Sequence, residues 1–310
     1  MANPIRFGHT RLIALDFAKN SLRGGAGIIY TVLTLMIGLT IAHLIITFTE
    51  DIATAAFRAG GVFKGPNQPV QVDRAPTKKE LVEMMTKQLG VSVFDWALGK
   101  EDQEHAFYLA RERPALASAI LLVLLFTLPF LIALGAFNQF SGDTQYGRFR
   151  FLLLRTERAN IFFGRFLGTF LFTSIILLIL MAIIFLYFAF KARYYPIGEV
   201  AIWLVHGYVV MVLFALPYIA FCAMVSAVID SPIGALGIIQ LIIIFIPVCF
   251  AVASGIEKEF GYGSFLLPWG WRYKLLHPNP VWVLSGCAAM IGYTVLFLWA
   301  GYKVFSKRDL

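Results

Sequence analysis

Residues able to do chemistry are few in this chain and unevenly placed. The densest group lies between Ser141 and Arg165, which includes Asp143, Glu157, Arg148, Arg150, Arg155, Arg158 and Arg165. A guanidinium is permanently charged and presents a planar fork of donors, so its chemistry is ion pairing and anion recognition, not proton transfer. The same segment carries Phe149, Leu152, Leu153 and Leu154. A linker that needed only solubility would not carry three consecutive leucines. The pattern predicts an amphipathic helix, apolar toward the rest of the protein and basic toward lipid headgroups or a protein partner. The plainer reading is that the arginines only fix membrane topology.

Elsewhere the chemistry is thin. Gly99-Lys100-Glu101 lacks the preceding Gly and following Ser/Thr of a phosphate-binding loop, so ATP hydrolysis would have to come from another chain. There is no HExxH and no G-x-S-x-G. An intramembrane enzyme needs a polar cluster within the apolar runs, and the sequence offers none. His43 and His206 lie in apolar runs, where packing or a helix–helix hydrogen bond is the expected role. Gln240 is expected to bond between helices, and Asp230, before Ser231-Pro232, to cap the following helix. Gly164 and Gly168 form a small-xxx-small pair suited to close helix approach. Cys222, Cys249 and Cys287 have no metal-ligand spacing and read as small buried apolar residues. No metal or cofactor site is expected in this chain.

The elements that must position these residues follow from composition. The chain is 59% hydrophobic and 14% charged, too apolar for a water-soluble fold. Apolar runs fall at 26–48, 116–139, 166–190, 200–229, 233–254 and 281–303, each long enough to span the hydrocarbon. The expectation is an all-α, polytopic membrane helical bundle of six spans, forming one transmembrane domain over 1–310. Pro129, Pro217 and Pro247 should kink their spans. With the N-terminus inside, the inner segments hold 12 Lys/Arg against 5 Asp/Glu, and the outer ones 14 against 13. That bias puts both termini in the cytoplasm, and it accounts for the net charge of +8 without invoking nucleic acid.

Residues 5–23 mix apolar and basic positions at helical spacing and read as an elbow helix on the inner surface, not as a cleavable signal. Residues 49–115 form a large outer loop. It has a capping-box start at Thr77–Glu80, a helical pattern through Leu81, Met84, Met85 and Leu89, and a second helical stretch over 101–112. Residues 255–280, rich in Gly, Pro and Trp, make the other outer segment.

In their order, Asp143, Gly147, Leu153-Leu154, Arg158, Ile161 and Gly164-Arg165 resemble the ABC-2 type permeases, the transmembrane subunits of ATP-binding cassette exporters. That family has an acidic residue after the second span, then Gly, Leu-Leu, a basic run and Gly-Lys/Arg at the third span. Asp143 stands where Glu is commoner, and Arg155-Thr156 where a Pro often follows the leucines. The likeness covers the whole chain, including the elbow helix, six spans with both ends inside and the basic end Phe305–Leu310. The large outer loop is similar to that of the subgroup containing the nitrous-oxide-reductase maturation permease.

The resemblance implies that 141–165 is a cytoplasmic coupling helix docking on a separate cassette ATPase. Asp143, Gly147, Arg148, Arg150, Leu153, Leu154, Arg158, Gly164 and Arg165 would be its coupling residues. It implies two ATPase copies holding ATP and Mg, and a second permease copy forming a homodimer or heterodimer. A path for export would run along spans one, two and five, in the inner (cytoplasmic) membrane of a prokaryote, with no enzymatic activity in this chain. The alternative is a membrane anchor or assembly protein that presents the 49–115 loop to a partner.

Overall fold

A computed structural model describes residues 7–58, 94, 103–145, 147, 149–154, 156–191, 195–256 and 263–308. Among them there is no β-strand. The expected helix after Thr77 lies outside the described residues.

Helix α1 is Phe7–Arg23, followed after Gly24 by α2, Gly25–Arg58. A short α3, Gln103–Phe107, runs into a π-helical stretch, Tyr108–Glu112, within the expected 101–112. Next come α4 (Ala115–Ala136), α5 (Ser141–Gln145), α6 (Phe149–Leu153) and α7 (Arg158–Lys191). The chain continues with α8 (Ile197–Val228) and α9 (Pro232–Ile256). Two 3₁₀ turns, Pro268–Trp271 and Tyr273–Leu276, lead to α10, Pro280–Lys307. Six of these helices are long and apolar enough to cross a membrane: Gly25–Ile52, Ala115–Gln145, Arg158–Lys191, Ile197–Val228, Pro232–Phe250 and Pro280–Lys307. The chain is therefore a multi-pass helical membrane protein by the length and composition of its helices.

Local chemistry sets several helix ends. The Asn279 side chain accepts from the Val281 N–H at 2.9 Å and Pro280 takes the first helical position, which starts α10. At α9 the cap is not Asp230, as expected, but Ser231, whose hydroxyl accepts from the Gly234 N–H at 3.3 Å. Asp230 instead pairs with Arg308. The hydroxyl one residue nearer the helix has the geometry for capping, and the carboxylate is left for the arginine.

The segment 141–165 is not one helix. It contains α5, α6 and the first two turns of α7, whose start precedes the expected 166 by eight residues. Gly147 sits at φ +64°, a left-handed conformation that L side chains avoid, and its N–H donates to the Thr144 carbonyl at 3.1 Å. This is the closing turn of α5, and it requires glycine.

The chain gathers into two compact units. One comprises 1–36, 125–179 and 208–310; the other comprises 37–124 and 180–207. In the second unit, His43 Nδ1 lies 2.7 Å from the Tyr187 hydroxyl, a bond between α2 and α7. Also in that unit, Arg113 donates to the Tyr108 hydroxyl at 2.8 Å and lies over the Tyr108 and Trp203 rings, with His206 stacked on Trp203. In the first unit Gln240 reaches from α9 to the Phe130 carbonyl of α4 at 3.2 Å. Of the cysteines only Cys222 is buried, while Cys249 is exposed on α9. No cluster of potential metal ligands occurs among the described residues.

Candidate functional site

Within the first unit, the ends of α4, α8 and α10, the start of α7 and both short helices converge. Their centre is aromatic. Phe140 stacks on Phe162 and Phe149 at centroid distances of 5.2 and 6.2 Å, and Phe305 closes the group at 5.2 Å from Phe140. All four rings are fully buried. Leu152 and Leu153 pack against this cluster, so the apolar stripe of the basic segment faces the protein interior, as its spacing implied.

Arg165 lies beside the aromatic cluster and is only 5% exposed. It forms an ion pair with Asp143 and donates to the Gln139 carbonyl. Its guanidinium also faces the Phe149 ring at 4.7 Å, Phe17 at 5.5 Å and Phe140 at 5.7 Å. A buried cation is tolerated only with such a complete set of partners. The pair joins α5 to α7 over 22 residues of sequence.

Three other contacts hold the segment. The Ser226 hydroxyl of α8 accepts from the Phe140 and Ser141 N–H groups at 2.9 and 3.0 Å, capping α5 from a different helix. Gln139 donates to the Ile219 carbonyl at 3.3 Å. Arg158 donates to the Ser306 and Arg308 carbonyls, each at 2.7 Å, while Arg308 donates to the Ala227 carbonyl at 2.7 Å. Two helix C-termini, those of α10 and α8, are thus closed by arginines, the charge favoured there.

Helix α1 is seated on α7. A Cβ on Gly164 would fall 2.8 Å from Ile13, and one on Gly168 would fall 2.7 Å from the Ala14 carbonyl oxygen. Thr10 donates to Asn160 at 3.1 Å one turn earlier on the same seam. The small-xxx-small pair therefore contacts α1. An open cleft of about 830 Å³ lies along α1, with Asp16, Asn20, Asn138, Asp143 and Arg165 among its polar lining.

The structure brings together Asp143, Gly147, Leu153, Arg158, Gly164 and Arg165. Arg158 and Arg165 turn inward, unlike the outward basic face expected of the arginines. Leu154 is separate from the core and 85% exposed. Arg148 and Arg155 lie outside the described residues, as does the side chain of Arg150. Sequence reading missed Gln139, Ser226 and Arg308. A hydroxyl in a long apolar helix is a weak signal, and its target amides are 85 residues away in the chain.

Fold and site together define a helical membrane protein with six described helices long and apolar enough to cross a membrane and a locked segment between the second and third of them. The chain belongs to the family described as "Protein of unknown function (DUF2705)", whose profile matches residues 84–310. Comparison with curated proteins gave no match.

Proposed function

We propose that this chain is the permease subunit of an ATP-driven transporter, and that 141–165 receives the push of a separate ATPase subunit. One observation carries the reading. The segment is fastened to α7 and α8 by Asp143–Arg165 and Ser226, yet it displays Leu154 at 85% exposure. A docking element needs both properties: an apolar knob for the partner and a rigid attachment that passes displacement to the spans.

The basic bias of residues 1–25, 140–165 and 303–310 supports a cytoplasmic side for this segment, with α1 as an elbow at the inner surface of the cell membrane. The spans of α9 and α10 are only 17% buried, against 72% for α8, so they have surface to give to lipid or to a second permease copy. ATP and Mg belong to the ATPase partner in this reading, and the transport direction is export.

The test is co-purification with a cassette ATPase co-expressed from the same genome. Leu154→Asp should weaken the complex at least tenfold and remove stimulation of ATP hydrolysis, while the membrane fraction of the permease stays constant. An unchanged complex with unchanged stimulation defeats the reading.

A further inference from the structure

The open cleft of about 830 Å³ along α1 belongs wholly to the first unit, and its lining comes from α1, the start of α2, the end of α4, α5, α6 and α7. Small-molecule sites commonly run from roughly 300 to 1,000 Å³. The space therefore suits a whole small molecule, whereas one inserted side chain would leave most of it empty. Leu12, Ile13, Phe17, Leu152 and Ile161 give it an apolar wall. A Cβ on Gly142 would overlap the Asn138 amide, so that amide keeps its place in the lining because residue 142 has no side chain.

The polar lining is unbalanced. Its charged groups are Asp16, Asp143 and Arg165. Asp143 and Arg165 neutralise each other. Asp16 accepts from the Asn20 amide nitrogen at 3.1 Å, a neutral contact, and no cation among the described residues pairs with it. Lys19 and Arg23 of the same helix are exposed and stand outside the lining. The Asn20 nitrogen is spent on Asp16, so its amide oxygen is the atom left to accept. The Asn138 amide supplies a second neutral oxygen. A carboxylate and two amide oxygens beside an apolar wall form an acceptor set with a net negative charge. That set complements a protonated primary amine, which has three N–H donors and no acceptor.

We propose that this cleft binds an amphipathic primary amine. The ammonium donates to the Asp16 carboxylate and to the amide oxygens of Asn20 and Asn138, while the apolar body lies against Leu12, Ile13 and Phe17. Charge complementarity selects a cationic head over an alcohol or a carboxylate. The one cation in the lining, Arg165, is held by Asp143. A phospholipid whose ammonium is tied to a phosphate therefore brings a negative charge with no counter-ion, and the cleft selects the free amine. The site stands on the lining of the cleft and not on the permease reading, and binding to it needs no ATPase.

The test uses the purified full chain in a neutral detergent, without any ATPase, and tritiated dodecylamine as the probe. Binding should saturate, and unlabelled dodecylamine should compete. Dodecanol, dodecanoate and phosphatidylethanolamine should each compete at least about fivefold less well, the factor expected of one charged hydrogen bond at a solvent-exposed mouth. Asp16→Asn, which keeps the shape and removes the charge, should weaken binding by about the same fivefold, while Asp16→Glu should stay close to the parent. Leu12→Trp, which fills the cleft from α1 and keeps every polar group, should also weaken binding at least about fivefold. Glu157→Gln, outside the lining, should leave binding unchanged; unaltered gel-filtration profiles check folding of all four variants. Equal competition by dodecanol overturns the cation site, and equal competition by phosphatidylethanolamine overturns the free-amine assignment. Binding that survives both Asp16→Asn and Leu12→Trp overturns the location. Because no ATPase is present, failure here leaves the permease reading standing, and failure of the ATPase experiment leaves this site standing.

Discussion

Replacing Asp143 with Ala strands the Arg165 guanidinium in a buried position. Breaking a buried ion pair by removing one partner typically costs about 3–5 kcal/mol. Here the cost should be nearer 2–3 kcal/mol, because Arg165 keeps the Gln139 carbonyl and three aromatic faces, and the Asp143 side chain is 22% exposed. Arg165→Met should also destabilise, since it strips the Gln139 carbonyl of a donor. The double variant should cost less than the two singles combined, because no unpaired charge remains. The coupling energy should be about 1–2 kcal/mol. Equilibrium unfolding in mixed micelles, followed by circular dichroism and intrinsic fluorescence, measures all four corners of the cycle. A coupling below about 0.5 kcal/mol would place this contact with exposed surface pairs and refute its role as the lock between α5 and α7.

Three further outcomes follow from neighbouring contacts. Gly147→Val should cost roughly 1–2 kcal/mol in the same unfolding assay because of its φ of +64°, whereas Gly147→Asn should cost markedly less. Gly164→Leu drives a side chain into Ile13 and the Thr10 backbone, and should expose α1 to added protease at a loss of about 1–3 kcal/mol. Ser226→Ala leaves the Phe140 and Ser141 amides without an acceptor and should cost about 1–3 kcal/mol, with Ser226→Thr recovering most of it.

The long helices were legible because lipid imposes one rule on roughly 20 residues at a time, and composition alone reports it. The boundaries were not. Arg158 and Arg165 look like loop residues when charge is equated with solvent, but carbonyls at the end of α10, the Gln139 carbonyl and an acidic partner let both sit within α7. The break at Gly147 was present as a residue type but not as a break, since glycine is also tolerated inside helices. Ser226 and Gln139 act through partners 80 or more residues away, a distance over which local periodicity holds no information. The small-xxx-small pair was legible as an interface; that its partner is α1 was not.

That seam has a consequence for how the chain is made. Thr10 and Asn160 are separated by 150 residues, and at ordinary synthesis rates of about 5–20 residues per second the gap lasts about 8–30 seconds. For that interval α1 exists without its ledge on α7, and Ile13, Ala14 and Phe17 have nothing to pack on. Something must shelter them, either the translocation machinery or the bilayer itself. Helix α1 therefore waits for its seat while α2 and α4 are made, so blocking its return to α7 should leave the other helices formed and the Gly164 face open.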